Sequence, residues 1–491
     1  MNQAIQQKQH QYLQKFIYKY NQRTKKSKQI SQNNRSFFAD HKASIIFTIP
    51  FKEICYPIVG DRSCGSKIWD IDGNEYLDFS MGYGVNLFGH NPPFIKQAIE
   101  EQLEQGIHLG LQSEVACEVA QMICELTNME RVALSNTGTE AVMTAIRLAR
   151  TATNRDKIAL FSGSYHGHFD GTLVKTKTVD GIRQILPITP GILPRIVEDI
   201  LVLDYDKPES LAAIAQHKHE LAAVLVEPVQ TSHPQLQPKE FLQQLRQLTQ
   251  ETGIALIFDE MVTGFRIHPG GAQAWFGIEA DLATYGKIVG GGMPIGVIAG
   301  KAAYMDAIDG GMWNYGDASY PQTKKTFFAG TYCKHPLAMA TARAVLKQLK
   351  SHGSLGQKLN QRTSQLVETL NAYFTEDKLP LKMVNFGSLF ALGFSDNYEV
   401  SEDYASQNTV GMLLYYHLID KGVLFRENGG FLSTAHTDED LDYLIWAVKK
   451  SIEELREAGF LSNPLNNQND STNLFTKTKR ASELNSPLSN S

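Results

Sequence analysis

Apolar positions along the chain follow two rhythms. Residues 113–128 set Val115, Ala116, Val119, Ala120, Ile123 and Leu126 on one face at helical spacing. Residues 157–161 (KIALF), 222–227 (AAVLVE) and 253–259 (GIALIFD) are short unbroken apolar runs, as expected of strands buried on both faces. Residues 237–252 read as a helix that stops at Gly253. Buried strands alternating with amphipathic helices predict a parallel α/β sheet, whose ligands gather at the carboxyl ends of its strands. The last third differs. Residues 383–394 (MVNFGSLFALGF) read as antiparallel strands, and long helices are expected near 410–421 and 437–458. The second of these has Thr437 as N-cap and three acids in its first turn, which suits the helix dipole. Residues 67–79 read as a hairpin turning at Asp72-Gly73. The two ends of the chain thus predict a smaller α+β domain, 43–95 with 340–460, around a large domain, 96–339.

At the N-terminus Tyr12, Leu13, Phe16, Ile17 and Tyr20 recur at helical spacing. The Lys/Gln/Ser/Asn stretch after them is expected to be poorly ordered. The Asn- and Ser-rich tail, 461–491, should be disordered. No repeat of 20–50 residues is visible, which excludes a solenoid.

Composition refines this picture. The 491 residues carry a net charge of −5, which argues against a nucleic-acid-coating surface. The charge is uneven: residues 1–42 hold nine Lys/Arg and one acid, so a basic extension joins a body near −14. Five cysteines without a C-x-x-C pair argue against disulfide frameworks and Cys-based zinc sites. Cys117 and Cys124, seven apart in a helical pattern, are expected in the core. No apolar run reaches bilayer length and no apolar signal core opens the chain, so no membrane is expected and cytoplasm is the expected compartment.

Several residues carry possible chemistry. Asp259 and Glu260 leave the end of a buried strand. Lys287 sits in the uncharged stretch TYGKIVGGG, and a desolvated lysine is a Schiff-base nucleophile. Gly290, Gly291 and Gly292 would allow a ligand close to the backbone. The order of Lys and Gly excludes a Walker A loop, and Ile295 breaks a dinucleotide fingerprint. Gly138 and Thr139 open an Ala/Leu-rich helix, a place for an anion. In SYHGHFD, Tyr165 offers an aromatic face, and His166 and His168 alone are too few for a metal site. A lysine for an aldehyde, an acid for a ring nitrogen, a helix start for a phosphate and an aromatic ring converge on pyridoxal 5′-phosphate (PLP).

From Pro57 to Leu455 the sequence resembles the class III aminotransferases of PLP fold type I, through SNTGTEA, SYHGHFD, VEPVQ, IFDEMVTGFR, DLATYGKIVGGGMPIG and FAGTY in the family's order. It is similar to the glutamate-1-semialdehyde aminomutase branch. Within that branch FIYKYNQRTKKSK, WDIDGNEYLDFSMGYGVNLFGHNPPF and FLSTAHTDEDL resemble the aminotransferase domains of polyketide and nonribosomal peptide synthases. The resemblance implies a mostly parallel, seven-stranded-type sheet and roles for the matching residues. Lys287 would carry the cofactor covalently and Asp259 would pair with its ring nitrogen. Gly138 and Thr139 would bind its phosphate, and Tyr165 and Val262 would flank the ring. Gln230 would lie near the ring hydroxyl with Glu227 beside it. Thr331 would reach the phosphate of a second subunit, which implies a homodimer.

The synthase-type enzymes would aminate a β-ketoacyl thioester on an acyl carrier protein, with a donor such as glutamate or glutamine. The alternatives are the aminomutase reaction and a general ω-amino acid transamination. Free carboxylates are usually held by arginine. The segment IIFTIPFKE (45–53), where the aminomutases carry one, has none, which favours the thioester. A basic extension would also attract an acidic carrier protein. A regulatory protein of this fold would need a DNA-binding domain, for which the extension is too short, and the Lys287/Asp259 pair argues for an enzyme.

Overall fold

The computed structural model describes residues 3–41, 47–179, 182–394, 407–426 and 429–461. The tail expected to be disordered therefore lies, beyond Leu461, outside the described residues.

The chain opens with two helices, α1 (Gln3–Arg23) and α2 (Lys25–Asn34). α2 corrects the expectation of a poorly ordered stretch. Its helix start is capped from a distance: Asp72, in the hairpin turn, accepts the backbone N–H groups of Lys26 (2.7 Å) and Ser27 (3.1 Å). The apolar stripe of α1 buries Phe16 and Tyr20. Phe16 stacks on the His417 ring at 4.5 Å, and Lys19 pairs with Asp420 at 2.6 Å. The hairpin is β1 (Gly60–Cys64), β2 (Lys67–Asp70) and β3 (Glu75–Asp78), with the predicted turn between β2 and β3.

Two helices, α3 (Pro93–Gln105) and α4 (Glu114–Thr127), lead to the central sheet. Ser113 caps α4 by accepting the Val115 N–H. Cys117 on α4 is exposed and Cys124 only half-buried, so neither is the core residue expected; they fall at the edge of the buried stripe of Ala116, Val119 and Ile123. The sheet has seven strands: β4 (Arg131–Ser135), β5 (Lys157–Phe161), β6 (Ile200–Leu203), β7 (Leu221–Val226), β8 (Ala255–Asp259), β9 (Leu282–Tyr285) and β10 (Gly296–Gly300). They lie in the order β4-β10-β9-β8-β7-β5-β6, and β10 alone runs against its neighbours. β7 and β8 are buried at every residue, which accounts for their unbroken apolar sequence. The helices α5 (Gly138–Thr153) and α6 (Lys239–Thr252) follow β4 and β7 in the chain, and α6 ends at a left-handed Gly253.

Beyond the sheet come α7 (Pro336–Ser351) and α8 (Leu355–Glu376), then the antiparallel pair β11 (Leu381–Phe386) and β12 (Leu389–Phe394). The last elements are α9 (Gln407–Asp420), β13 (Val423–Leu424), β14 (Gly429–Phe431) and α10 (Asp438–Glu457). β13 adds to β3, so residues 60–78 and 423–424 share one four-stranded sheet, while β14 adds to β12 in a separate three-stranded sheet. Thr437 and Asp440 form a reciprocal capping box at α10. Among the described residues no helix is long and apolar enough to cross a membrane.

Candidate active site

Five strand ends open onto one place. β4 leads to Gly138, β5 to Tyr165 and His166, β7 to Glu227, β8 ends at Asp259, and β9 leads to Lys287. This is the carboxyl edge expected to hold the chemistry.

Asp259 is 4% exposed and is gripped on both oxygens. Oδ1 accepts the Thr284 hydroxyl at 3.1 Å and the Met261 N–H at 3.2 Å, and Oδ2 accepts His166 Nδ1–H at 2.7 Å. Among the described residues no group of three metal-ligating side chains occurs. Glu227 is also buried, and burial raises its carboxyl above the ordinary value. Its oxygens accept the Tyr165 N–H (3.0 Å) and the Thr231 hydroxyl (2.9 Å), which ties two loops together at the mouth of the sheet. Gln230 donates to the Ser162 carbonyl at 2.9 Å. Tyr165 itself is 68% exposed.

Lys287 follows Gly286 with its own backbone in the left-handed region (φ 44°), which a non-glycine residue adopts at a cost and which clusters at working sites. The side chain is partly buried. Burial lowers its pKa, opposed by the Asp259 and Glu227 charges and assisted by Arg266 and Arg426. Among the described residues it forms no ion pair.

At α5, Thr137 caps the helix by accepting the Glu140 N–H at 3.1 Å, while the Glu140 carboxylate accepts the Asn136 N–H at 2.7 Å. Gly138 and Thr139 sit in the first turn, where backbone N–H groups have no intrahelical acceptor. A Cβ on Gly138 would stand 2.8 Å from Met261 Sδ. A side chain at that helix start would have to displace the end of Met261, the residue two places after Asp259.

Of the glycines after Lys287, Gly290 and Gly291 pack against the protein. The Gly290 carbonyl accepts the Thr341 hydroxyl at 2.8 Å, and a Cβ on Gly291 (φ 58°) would meet Ile95 of α3 at 2.9 Å and Val345 of α7 at 3.0 Å. Gly291 thus lets the Lys287 turn seat against two helices, whereas a Cβ on Gly292 (φ 100°) would meet nothing within 4 Å. Thr331 lies in an exposed turn. Val262, partly buried, packs against Met81, Leu389 and Phe431. Met81 belongs to a turn the sequence did not reveal: Met81, Gly82, Tyr83 and Gly84 all have positive φ. Arg266 reaches its end, donating to the Gly84 carbonyl and, at 3.1 Å, to Ser388 Oγ.

Residues 51–440 match the family model for class-III aminotransferases. A glutamate-1-semialdehyde 2,1-aminomutase from Clostridium novyi is 37% identical over 408 residues, 82% of this chain and 91% of that protein. One from Alkaliphilus oremlandii is 36% identical over 405 residues, 80% of this chain and 90% of that protein. Among solved structures, an omega-transaminase from Sphaerobacter thermophilus aligns with TM-score 0.78 at 27% identity, covering 88% of this chain and 98% of that one. A β-phenylalanine aminotransferase from Variovorax paradoxus aligns with TM-score 0.76 at 28% identity, covering 92% and 99%. The chain belongs to the class-III aminotransferases and is a PLP-dependent enzyme of fold type I.

The residues present fit that cofactor. A partly buried lysine without an ion-pair partner suits the aldehyde, a fully hydrogen-bonded buried carboxylate suits a protonated ring nitrogen, and an open helix start suits the phosphate.

Proposed function

We propose that Lys287 carries PLP covalently and that Asp259 holds the ring nitrogen protonated. Gly138 and Thr139 take the phosphate, Tyr165 and Val262 flank the ring, and Gln230 and Glu227 border the hydroxyl side. Thr331 reaches the phosphate site of a second copy in a homodimer. The observation that carries this reading is the placement of Lys287 and Asp259 on the ends of adjacent paired strands, beside the start of α5.

The bound cofactor supplies an electron sink for the carbon that bears the amino group. The protein's part is proton transfer and orientation. Its lowered pKa favours Lys287 as a neutral amine, able to take the proton from that carbon and return it as general acid. Asp259, held on both oxygens, stays aimed at one atom.

On this reading the enzyme moves an amino group between an amino acid and a carbonyl compound. The first substrate reading is the aminomutase reaction, which shifts nitrogen within glutamate-1-semialdehyde. The names of the curated relatives support it. So does Arg426, whose partly buried side chain acts electrostatically on Lys287 and has no carboxylate partner among the described residues; it suits a substrate carboxylate.

The second reading is amination of a β-ketoacyl thioester on an acyl carrier protein, with an amino acid such as glutamate as donor. It is favoured by the turn Ile49–Ile54, which contains no arginine.

The experiment is direct. Purified enzyme is given glutamate-1-semialdehyde in one arm, and glutamate or glutamine with a β-ketoacyl carrier protein in the other. Formation of 5-aminolevulinate supports the first reading, and mass gain of an amine on the carrier supports the second. Lys287→Ala is expected to abolish either. Turnover surviving that substitution sinks the assignment of Lys287.

A further inference from the structure

Of the three buried histidines, His417 and His436 use both ring nitrogens, as does the partly buried His90. His90 bonds Asp78 and Asn86, His417 bonds Glu454 and Tyr12, and His436 bonds Ser433 and the Asp78 carbonyl. His166 differs. Its Nδ1 meets Asp259 Oδ2 at 2.7 Å, with the two side chains 1% and 3% exposed, while its Nε2 is buried without a partner. A buried polar atom without a partner is uncommon and calls for an explanation. Because a carboxylate only accepts, the proton on the short bond belongs to Nδ1.

We propose that His166 is a positioning residue for Asp259: its Nδ1–H fixes the direction in which the carboxylate is presented to the cofactor's ring nitrogen. Thr284 and Met261 hold only Oδ1. Without His166 the carboxylate would keep those two donors and turn about them, and the buried Glu227 charge nearby would push it further. The sequence places His166 directly after Tyr165, at the end of β5. That strand is separated from β8 in the sheet by β7, so the pair spans a neighbouring strand. The inference rests on the reading of Asp259 as the ring-nitrogen partner.

The test uses the full chain as apoprotein, in wild-type form and as His166→Asn, His166→Gln, His166→Leu and Asp259→Asn. Each is titrated with PLP by fluorescence, and the ring-nitrogen signal of ¹⁵N-labelled PLP is recorded by NMR. The Asn amide nitrogen can stand where Nδ1 stands, so His166→Asn is expected to stay within about threefold of wild-type affinity with an unchanged ring-nitrogen signal. His166→Leu is expected to weaken PLP binding by roughly tenfold to a hundredfold. Its ring-nitrogen signal should move in the same direction as that of Asp259→Asn, a shift that a purely structural histidine would not produce. A folded His166→Leu protein with wild-type affinity and signal overturns the proposal. If His166→Leu does not fold, His166→Gln decides, because its amide falls at the Nε2 place: Gln matching wild type while Asn fails overturns the proposal, and the reverse upholds it. If wild type itself takes up no PLP, or Asp259→Asn leaves the ring-nitrogen signal unmoved, it is the reading of Asp259 that fails, and the role of His166 with it.

Discussion

Thr284 and Asp259 face each other across β9 and β8, and the Thr284 hydroxyl donates to Asp259 Oδ1 at 3.1 Å. The strand that delivers Lys287 therefore also braces the acid. Thr284→Val keeps the shape of a fully buried side chain and removes the donor. It is expected to leave the fold intact and weaken PLP uptake by the apoprotein about threefold to tenfold, with Thr284→Ser restoring most of the loss. Fluorescence titration against PLP checks this, and wild-type affinity in the Val variant would refute the bracing role.

Gly138 and Met261 are a second coupled pair. An added methyl at Gly138 would press on Met261 Sδ at 2.8 Å. Overpacking costs about 1–3 kcal/mol where the neighbour is held and less where a flexible methionine turns aside, and here the strain falls on the helix start proposed for the phosphate. Gly138→Ala should bind PLP more weakly than wild type, and Gly138→Ala with Met261→Ala should recover part of the difference. Equal binding by Gly138→Ala and wild type would show that Met261 yields freely.

The left-handed turn at Met81–Gly84 makes a sharper demand. At Gly84 (φ 86°) a Cβ would meet Phe431 at 2.8 Å and Arg266 at 3.0 Å. The backbone conformation alone costs about 1–2 kcal/mol for an L side chain. Gly84→Ala should therefore lower the thermal midpoint measurably, while Tyr83→Ala, whose side chain is largely exposed, should not. Scanning calorimetry of both variants separates backbone strain from side-chain loss.

His436 gives a pH dependence. Burial pulls its pKa from the ordinary 6.5 down to about 4, although Asp440 and Asp78 act in the opposite direction. The unfolded chain then takes up this proton more readily than the folded one. The stability concerned is complete above the unfolded value of 6.5 and is lost as pH falls from 6.5 toward about 4, on the order of 3 kcal/mol in full. His436→Gln should flatten the decline of the thermal midpoint between pH 7 and pH 5. An unchanged slope would remove His436 from the account.

Phe16 tests the arm. It is 6% exposed and stacks on His417, and truncating a buried phenylalanine costs about 3–5 kcal/mol. Phe16→Ala should free α1, seen as faster tryptic cleavage among the lysines of residues 15–28 while the rest of the chain stays resistant.

The sheet was readable because its strands are buried on both faces, so that KIALF and GIALIFD announce themselves without alternation. Asp259, which ends GIALIFD, followed from the rule that ligands sit at the carboxyl edge, and Lys287 stood out as the one charge in TYGKIVGGG. What escaped was held by contacts distant in sequence. α2 is capped by Asp72, some forty-five residues away, so its polar composition looked like a solvated tail. Thr284, on a neighbouring strand, and His166, in the loop after another, both bond Asp259, and in the sequence His166 is visible only as half of a pair too small for a metal site. Gly290 and Gly291 looked like a ligand cradle, because a glycine that admits a helix and one that admits a cofactor are the same letter in a sequence.

The docking of α1 also sets an order of events during synthesis. Tyr12 bonds His417, 405 residues further along the chain. At about 5–20 residues per second, the partner of this helix leaves the ribosome some 20–80 seconds after the helix itself. Over that interval Tyr12, Phe16 and Tyr20 have no α9 to pack on. The surface around them is polar and acid-free, with Lys8, Lys15 and Lys19 exposed, so the waiting helix presents like charges that repel other copies until α9 arrives to cover its apolar stripe.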